Sequence, residues 1–152
     1  MRVSIIGTGY VGLVSGVCFA ELGHQVVCVD TVKEKVRSIN DGVAPIFEEG
    51  LEDMMRSHLS SGSFKATSDH SKVVGTDMTF LCVGTPSRED GSLDLKYLLQ
   101  ASEDLGKALA GKRGRHTVVV KSTVPPNTTR DVVGPLLMRT SGKGAEDMGL
   151  AM

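Results

Sequence analysis

Apolar residues gather along this chain in short unbroken runs, separated by longer stretches in which they return every three or four positions. The runs lie at 2–6, 25–29, 64–67, 78–83, 117–121 and 148–152. Each is of strand length, and most are apolar at successive positions, as a parallel strand covered on both faces requires. Between them, Val11, Val14, Cys18, Phe19 and Leu22 fall on one helical face, and Val32, Val36 and Ile39 do so in the next segment. Leu51, Met54, Met55, His58 and Leu59 make a third stripe, and Leu95, Leu98, Leu99, Leu105 and Leu109 a fourth. Val132, Val133, Leu136 and Leu137 predict a last helix. Gly134-Pro135 is expected to kink or interrupt it, because proline lacks an N–H and its ring crowds the preceding turn. Strands alternating with helices predict an α/β fold with a doubly wound, mostly parallel sheet, helices on both faces and right-handed crossovers. Ligands then gather at the carboxyl ends of the strands.

The first junction sharpens this to a Rossmann-type fold. Val3-Ser4-Ile5-Ile6 runs into Gly7-Thr8-Gly9-Tyr10-Val11-Gly12, a Gly-x-Gly-x-x-Gly turn that an apolar helical pattern leaves. Gly7 permits the tight turn, Gly9 lets the backbone approach a pyrophosphate, and Gly12 lets the helix pack close to the sheet. The unpaired N–H groups at the helix start face the phosphate charge. The second run ends on Asp30, at the distance past the glycines where a carboxylate meets the adenosine ribose. Such a carboxylate accepts a ribose hydroxyl and repels the 2′-phosphate of NADP, so the expected cofactor is NAD. Asp30 also has a plainer reading as the cap of the following helix. Lys35, one turn into that helix, reaches either the adenosine side or solvent.

Length and charge bound the rest. With 152 residues the chain suffices for one domain with a real core. A formal net charge of −1 and no long basic run argue against a nucleic-acid surface. Arg2 followed by the uncharged stretch 3–20 superficially suits a signal peptide or membrane span, but the glycines at 7, 9, 12 and 16 fit strand, turn and helix instead. No membrane partner and a cytoplasmic location are therefore expected. Cys18, Cys28 and Cys82 show no metal-ligand spacing and lie in apolar patterns, so they are expected to be buried, reduced thiols. No residue is assigned a catalytic or metal-binding role.

Three loops are expected at the carboxyl edge: 7–12, Val83-Gly84-Thr85-Pro86-Ser87, and Lys121-Ser122-Thr123-Val124-Pro125-Pro126-Asn127-Thr128. They offer small residues, hydroxyls and free N–H groups along which an extended dinucleotide would lie. Further signatures join them: Gly23-His24 before the strand ending at Asp30, Pro45-Ile46-Phe47-Glu48 with Gly50-Leu51, and Asp94-Leu95. Together these segments resemble the N-terminal NAD-binding domain of the UDP-glucose/GDP-mannose dehydrogenase family over nearly the whole chain. The resemblance implies that Tyr10 and Val11 meet the pyrophosphate through the glycine turn and that Asp30 and Lys35 contact the adenosine ribose side. It implies that Thr85 and Thr123 line the remainder, with Thr123 near the reacting carbon. Ser122 has the simpler reading of closing its turn. Glu49 stands where the family often has proline, and Asn127 where it usually has glycine. Asparagine tolerates the left-handed conformation, so that turn should survive.

The resemblance further implies a nucleotide-sugar substrate whose C6 alcohol is oxidised twice, reducing two NAD, through an aldehyde and a cysteine thioester. The family's cysteine belongs to a later Cys-x-Pro-Lys-Asp segment, whose flanking residues Cys18, Cys28 and Cys82 lack. The expectation is a truncated piece of a longer, homo-oligomeric enzyme acting on UDP-glucose, with GDP-mannose second. A stand-alone NAD-sensing module is the alternative from another class, but it needs no groups at the hydride-transfer end, where Gly84-Thr85-Pro86 and Ser122-Thr123-Val124-Pro125 lie. A dehydrogenase of the 6-phosphogluconate type would commonly use NADP, which Asp30 disfavours.

Overall fold

Successive residues of a strand face opposite sides of its sheet, and in this sheet both sides are filled. In the computed structural model, which describes residues 1–152, strand β1 (Arg2–Ile6) sends Val3 and Ile5 into one core and Ile6 into another. Helix α1 (Tyr10–Glu21) leads to β2 (Gln25–Val29), then α2 (Lys33–Asn40), α3 (Leu51–Ser61) and β3 (Phe64–Thr67). A short 3₁₀ turn (His70–Gly75) crosses to the other face before β4 (Met78–Leu81), α4 (Lys96–Leu109) and β5 (His116–Val120). A π turn (Thr129–Val133) runs directly into α5 (Gly134–Ser141), and β6 (Met148–Ala151) closes the sheet. The strand order is β3-β2-β1-β4-β5-β6, and every pair is parallel. The winding therefore reverses between β1 and β4, and a crevice opens at their carboxyl ends.

The first core packs Leu13, Val17 and Ala20 of α1, Ile39 of α2, and Leu51 and Met55 of α3 against Val3, Ile5, Val26, Cys28 and Phe64. The second packs Val73, Leu98, Leu105, Leu109, Val133 and Leu137 against Ile6, Val29, Leu81, Val118 and Val120. A polar chain crosses the second face: Ser4 Oγ lies 2.6 Å from Thr79 Oγ1, which lies 2.7 Å from His116 Nε2, and Lys112 Nζ lies 2.7 Å from His116 Nδ1. His116 is fully buried. No helix is long and apolar enough to cross a membrane.

Four expectations need correction. The buried stripe of α1 is Gly12, Leu13, Gly16, Val17 and Ala20, whereas Val11, Leu22 and Cys18 are exposed. This helix is apolar nearly all round, so periodicity cannot choose its face; the glycines do, by letting α1 approach Cys28, Ile5 and Phe64. Cys18 is accordingly not a buried thiol. Strand β4 ends at Leu81, because Cys82 and Val83 already belong to the loop, and β5 begins at His116, one residue earlier than the apolar run. At Gly134-Pro135 the last helix is interrupted as expected: a π turn, in which Gly134 N–H reaches back five residues to the Thr129 carbonyl, gives way there to α5.

Candidate functional site

Three loops converge at the crevice, and the first is shaped by its glycines. Gly7 has φ +100°, and a side chain there would meet the Cys82 carbonyl oxygen at 2.7 Å. Its N–H donates to the Val29 carbonyl at 2.8 Å, tying the turn to the end of β2. At Gly12 a side chain would overlap the Gly7 carbonyl oxygen. At Gly9 it would meet nothing within 4 Å, so the space in front of Gly9 is open. No side chain caps α1 and no acid stands in its first turn, which leaves the N–H groups of Tyr10, Val11 and Gly12 without an intrahelical partner. This is the arrangement that receives an anion.

Asp30 sits at the end of β2 and is buried. Its Oδ2 accepts the Thr8 backbone N–H at 2.8 Å and the Thr8 hydroxyl at 2.6 Å, and its Oδ1 accepts the Val32 N–H at 2.9 Å. Burial pushes this carboxyl up, but the Thr8 and Val32 hydrogen bonds, with the charge of Lys35, outweigh it and hold it below the usual carboxylate range. Asp30 is therefore ionised. Of its roughly four acceptor positions, three are filled, which leaves one on Oδ1. Asp30 is not the cap of α2, whose N-cap is Val32 with no side-chain cap; its Oδ1 instead fixes the Val32 N–H two residues on, and one acceptor position of the carboxylate stays open.

The groove has two connected parts. One, of about 440 Å³, is lined by Gly7, Thr8, Gly9, Asp30 and Lys35. The other, of about 300 Å³, is lined by Tyr10, Val11, Thr85, Lys121 and Thr123. They share Gly9, Cys82, Val83 and Gly84. Thus every residue expected to hold the cofactor lines the groove except Gly12, which lies behind the turn. Thr85 Oγ1 donates to the Thr123 carbonyl at 2.8 Å, locking the second loop to the third. Ser122 Oγ donates to the Val83 carbonyl at 2.7 Å, so Ser122 closes its turn. Tyr10 bonds Glu48 through its hydroxyl, drawing the 43–50 loop toward the glycine turn. Asn127 takes the left-handed conformation at φ 69°.

The sequence does not single out His70, Tyr97, Gln100 and Asp104, which line the Asp30 end. Tyr97, Gln100 and Asp104 recur at three- and four-residue spacing on α4, a polar stripe beside the leucine stripe that could have found them. His70 carries no such signal. Two of the three cysteines are not armed for nucleophilic chemistry: burial, with Cys82 and Asp30 nearby, drives the Cys28 thiol far up, and burial lifts Cys82 to about 11 despite Lys121.

A sequence model describing the NAD-binding domain of the UDP-glucose/GDP-mannose dehydrogenase family matches residues 1–152. The chain belongs to that family. It is 48% identical over 147 residues to UDP-glucose 6-dehydrogenase AglM of Haloferax volcanii, covering 97% of this chain and 34% of the relative. It is 44% identical over 154 residues to a GDP-mannose 6-dehydrogenase of Pseudomonas syringae pv. syringae, covering 100% of this chain and 35% of that protein. Among solved structures, the fold matches a GDP-mannose dehydrogenase from Pseudomonas aeruginosa, solved as a ternary complex, with TM-score 0.95 at 44% identity over 99% of this chain and 35% of that one. A UDP-glucose dehydrogenase from Pyrobaculum islandicum matches with TM-score 0.92 at 39% identity, over 99% and 35% of the two chains. The chain thus spans about a third of the family members it matches, and the part it spans is their NAD-binding domain, with NAD as the family's cofactor.

Proposed function

We propose that this chain is the cofactor-binding part of a nucleotide-sugar 6-dehydrogenase that oxidises UDP-glucose to UDP-glucuronate with two NAD, working in the cytoplasm as a homo-oligomer. The observation that carries the cofactor half is the Asp30 carboxylate, buried, ionised and left with one acceptor position beside the open space at Gly9. NAD bound in this groove supplies the hydride acceptor. The N–H groups of Tyr10 and Val11 hold the pyrophosphate, Asp30 takes a ribose hydroxyl with Lys35 beside it, and Gly7 and Gly12 keep the turn that lets the ligand in. Thr85 and Thr123, joined to each other, line the nicotinamide end. The Haloferax volcanii relative supports UDP-glucose as the substrate, and the Pseudomonas relatives keep GDP-mannose as the competing arm of the test.

Calorimetric titration tests the cofactor. NAD should bind at least about tenfold more tightly than NADP, or ~1.4 kcal/mol, because a 2′-phosphate meets Asp30 as like charge. Asp30→Asn should erase most of that preference, whereas equal affinities in the natural chain would show that Asp30 does not select the cofactor. For the substrate, the full-length natural enzyme that carries this domain is assayed with each nucleotide sugar. NADH formation that requires UDP-glucose supports the reading, and formation with GDP-mannose alone overturns it.

A further inference from the structure

A second cleft lies at the amino-terminal ends of β1, β2 and β3, the opposite edge from the cofactor groove. Arg2, Gln25 and Lys65 share strand parity with Ile6 and Val29, so all three project from the face that carries the 3₁₀ turn. The pairing register sets Arg2 opposite Gln25 and Val27 opposite Lys65, which brings the three side chains onto neighbouring strands. The covering element is only six residues long, so it roofs part of this face and leaves a cleft of about 380 Å³ between itself and the strands. Ser71, Lys72 and Thr76 form the roof side.

The chemistry of the lining is one-sided. Arg2, Lys65 and Lys72 face the cleft and no carboxylate does, although the chain as a whole carries a net charge of −1. Their existing partners leave capacity. Arg2 gives one guanidinium nitrogen to Asp77 at 2.8 Å, keeping its other donors free. Lys72 lies 3.5 Å from Asp69, and the Lys65 ammonium has no ion-pair partner. Gln25 and Ser71 add neutral donors and acceptors beside the cations. The cleft approaches the size of the Asp30 part of the cofactor groove, and it is a short open cleft, not the extended basic stripe that a nucleic acid requires.

We propose that this cleft is a second ligand site, separate from the cofactor groove, which binds a small molecule carrying two or more phosphate charges. The three cations neutralise the phosphates, and Gln25 and Ser71 hydrogen-bond the uncharged part. The two sites share a wall, because the 3₁₀ turn sends His70 to the cofactor groove and Ser71 and Lys72 to the cleft.

Inorganic pyrophosphate is the probe. It is titrated into the ¹⁵N-labelled chain with and without saturating NAD, so that binding at the glycine turn is read separately from binding at the far edge. The amides of Gly62, Lys65, Ser71, Gly75 and Thr76 should shift saturably in both titrations. Lys65→Glu combined with Lys72→Glu should weaken that response at least about tenfold while leaving NAD affinity unchanged. Both side chains are exposed, and unchanged amide positions elsewhere verify the fold of the variant. Shifts confined to residues 7–12, a response that never saturates, or an affinity untouched by the double substitution would each overturn the proposal.

Discussion

At the scale of single residues, His116 shows how a buried polar group finds its protonation state. Lys112 donates to Nδ1, so the ring proton sits on Nε2 and is donated to Thr79. Thr79 can then donate to Ser4, Ser4 to Thr76, and Thr76 to the Val73 carbonyl at 2.8 Å, each hydroxyl accepting once and donating once. Burial and then the charge of Lys112 lower the histidine to about 4 from an ordinary 6.5. The unfolded chain therefore binds a proton that the folded one refuses. The contribution of this ring to stability should be constant above about pH 6.5 and fall between there and about pH 4, by on the order of 3 kcal/mol. Asp30 and Asp77 act in a lower window. Both carboxyls are held below the ordinary 3.8 in the fold, Asp77 at about 2 through Arg2, so their contribution is lost as pH falls below that range. Urea titrations at about pH 7, 5 and 4 follow the upper window, and further ones at about pH 3 and 2 follow the lower. His116→Gln should flatten the upper one, and an unchanged slope there would refute the assignment to this ring.

Among the elements, α1 holds the strictest geometry. A Cβ at Gly16 would lie 2.9 Å from Cys28 Sγ and 3.2 Å from both Ile5 Cδ1 and Phe64 Cε2. Gly16→Val should cost about 1–3 kcal/mol by forcing the helix off the sheet, measurable as a lowered unfolding midpoint. Gly12→Ala meets backbone at Gly7 instead and should abolish NAD binding; a variant that keeps normal affinity would show the turn to be more compliant than its contacts. The same helix marks what can be read in advance. Doubly covered strands such as β2 stand out because both faces bury, whereas an all-apolar helix gives periodicity nothing to choose between, so the pattern puts Val11 and Leu22 on the wrong side. The overrun of β4 into Cys82 and Val83 has a related cause: apolar residues continue there because they floor the groove. The glycine turn, Asp30 and the threonine loops are legible because each is a contiguous motif. His70 is not, because it joins the groove only when the fold brings the 3₁₀ turn against α4.

For the molecule as a whole, Cys28 and Cys82 are buried with thiols held protonated, and no Cys-x-Pro-Lys-Asp segment surrounds any of the three cysteines, so the 152-residue chain should bind NAD yet leave absorbance at the NADH band flat with UDP-glucose or GDP-mannose. Steady NADH production would mean that Cys18, Cys28 or Cys82 reacts after all. Strand β6 is hydrogen-bonded only to β5, and an open strand edge seeks a partner. Light scattering across a concentration series should therefore detect self-association, and a strictly monomeric protein would count against β6 as a contact. The strand order also bears on how the chain comes off the ribosome. Twelve of the thirteen residues of the first core lie within residues 3–66, with only Cys82 added later, whereas the second core borrows just Ile6 and Val29 from that half. The first-made half can thus condense on its own around β1 while the other edge of that strand waits for β4. Its amides should be the first to resist exchange in pulse-labelled refolding, with β1 serving afterwards as the template on which the second half crystallises.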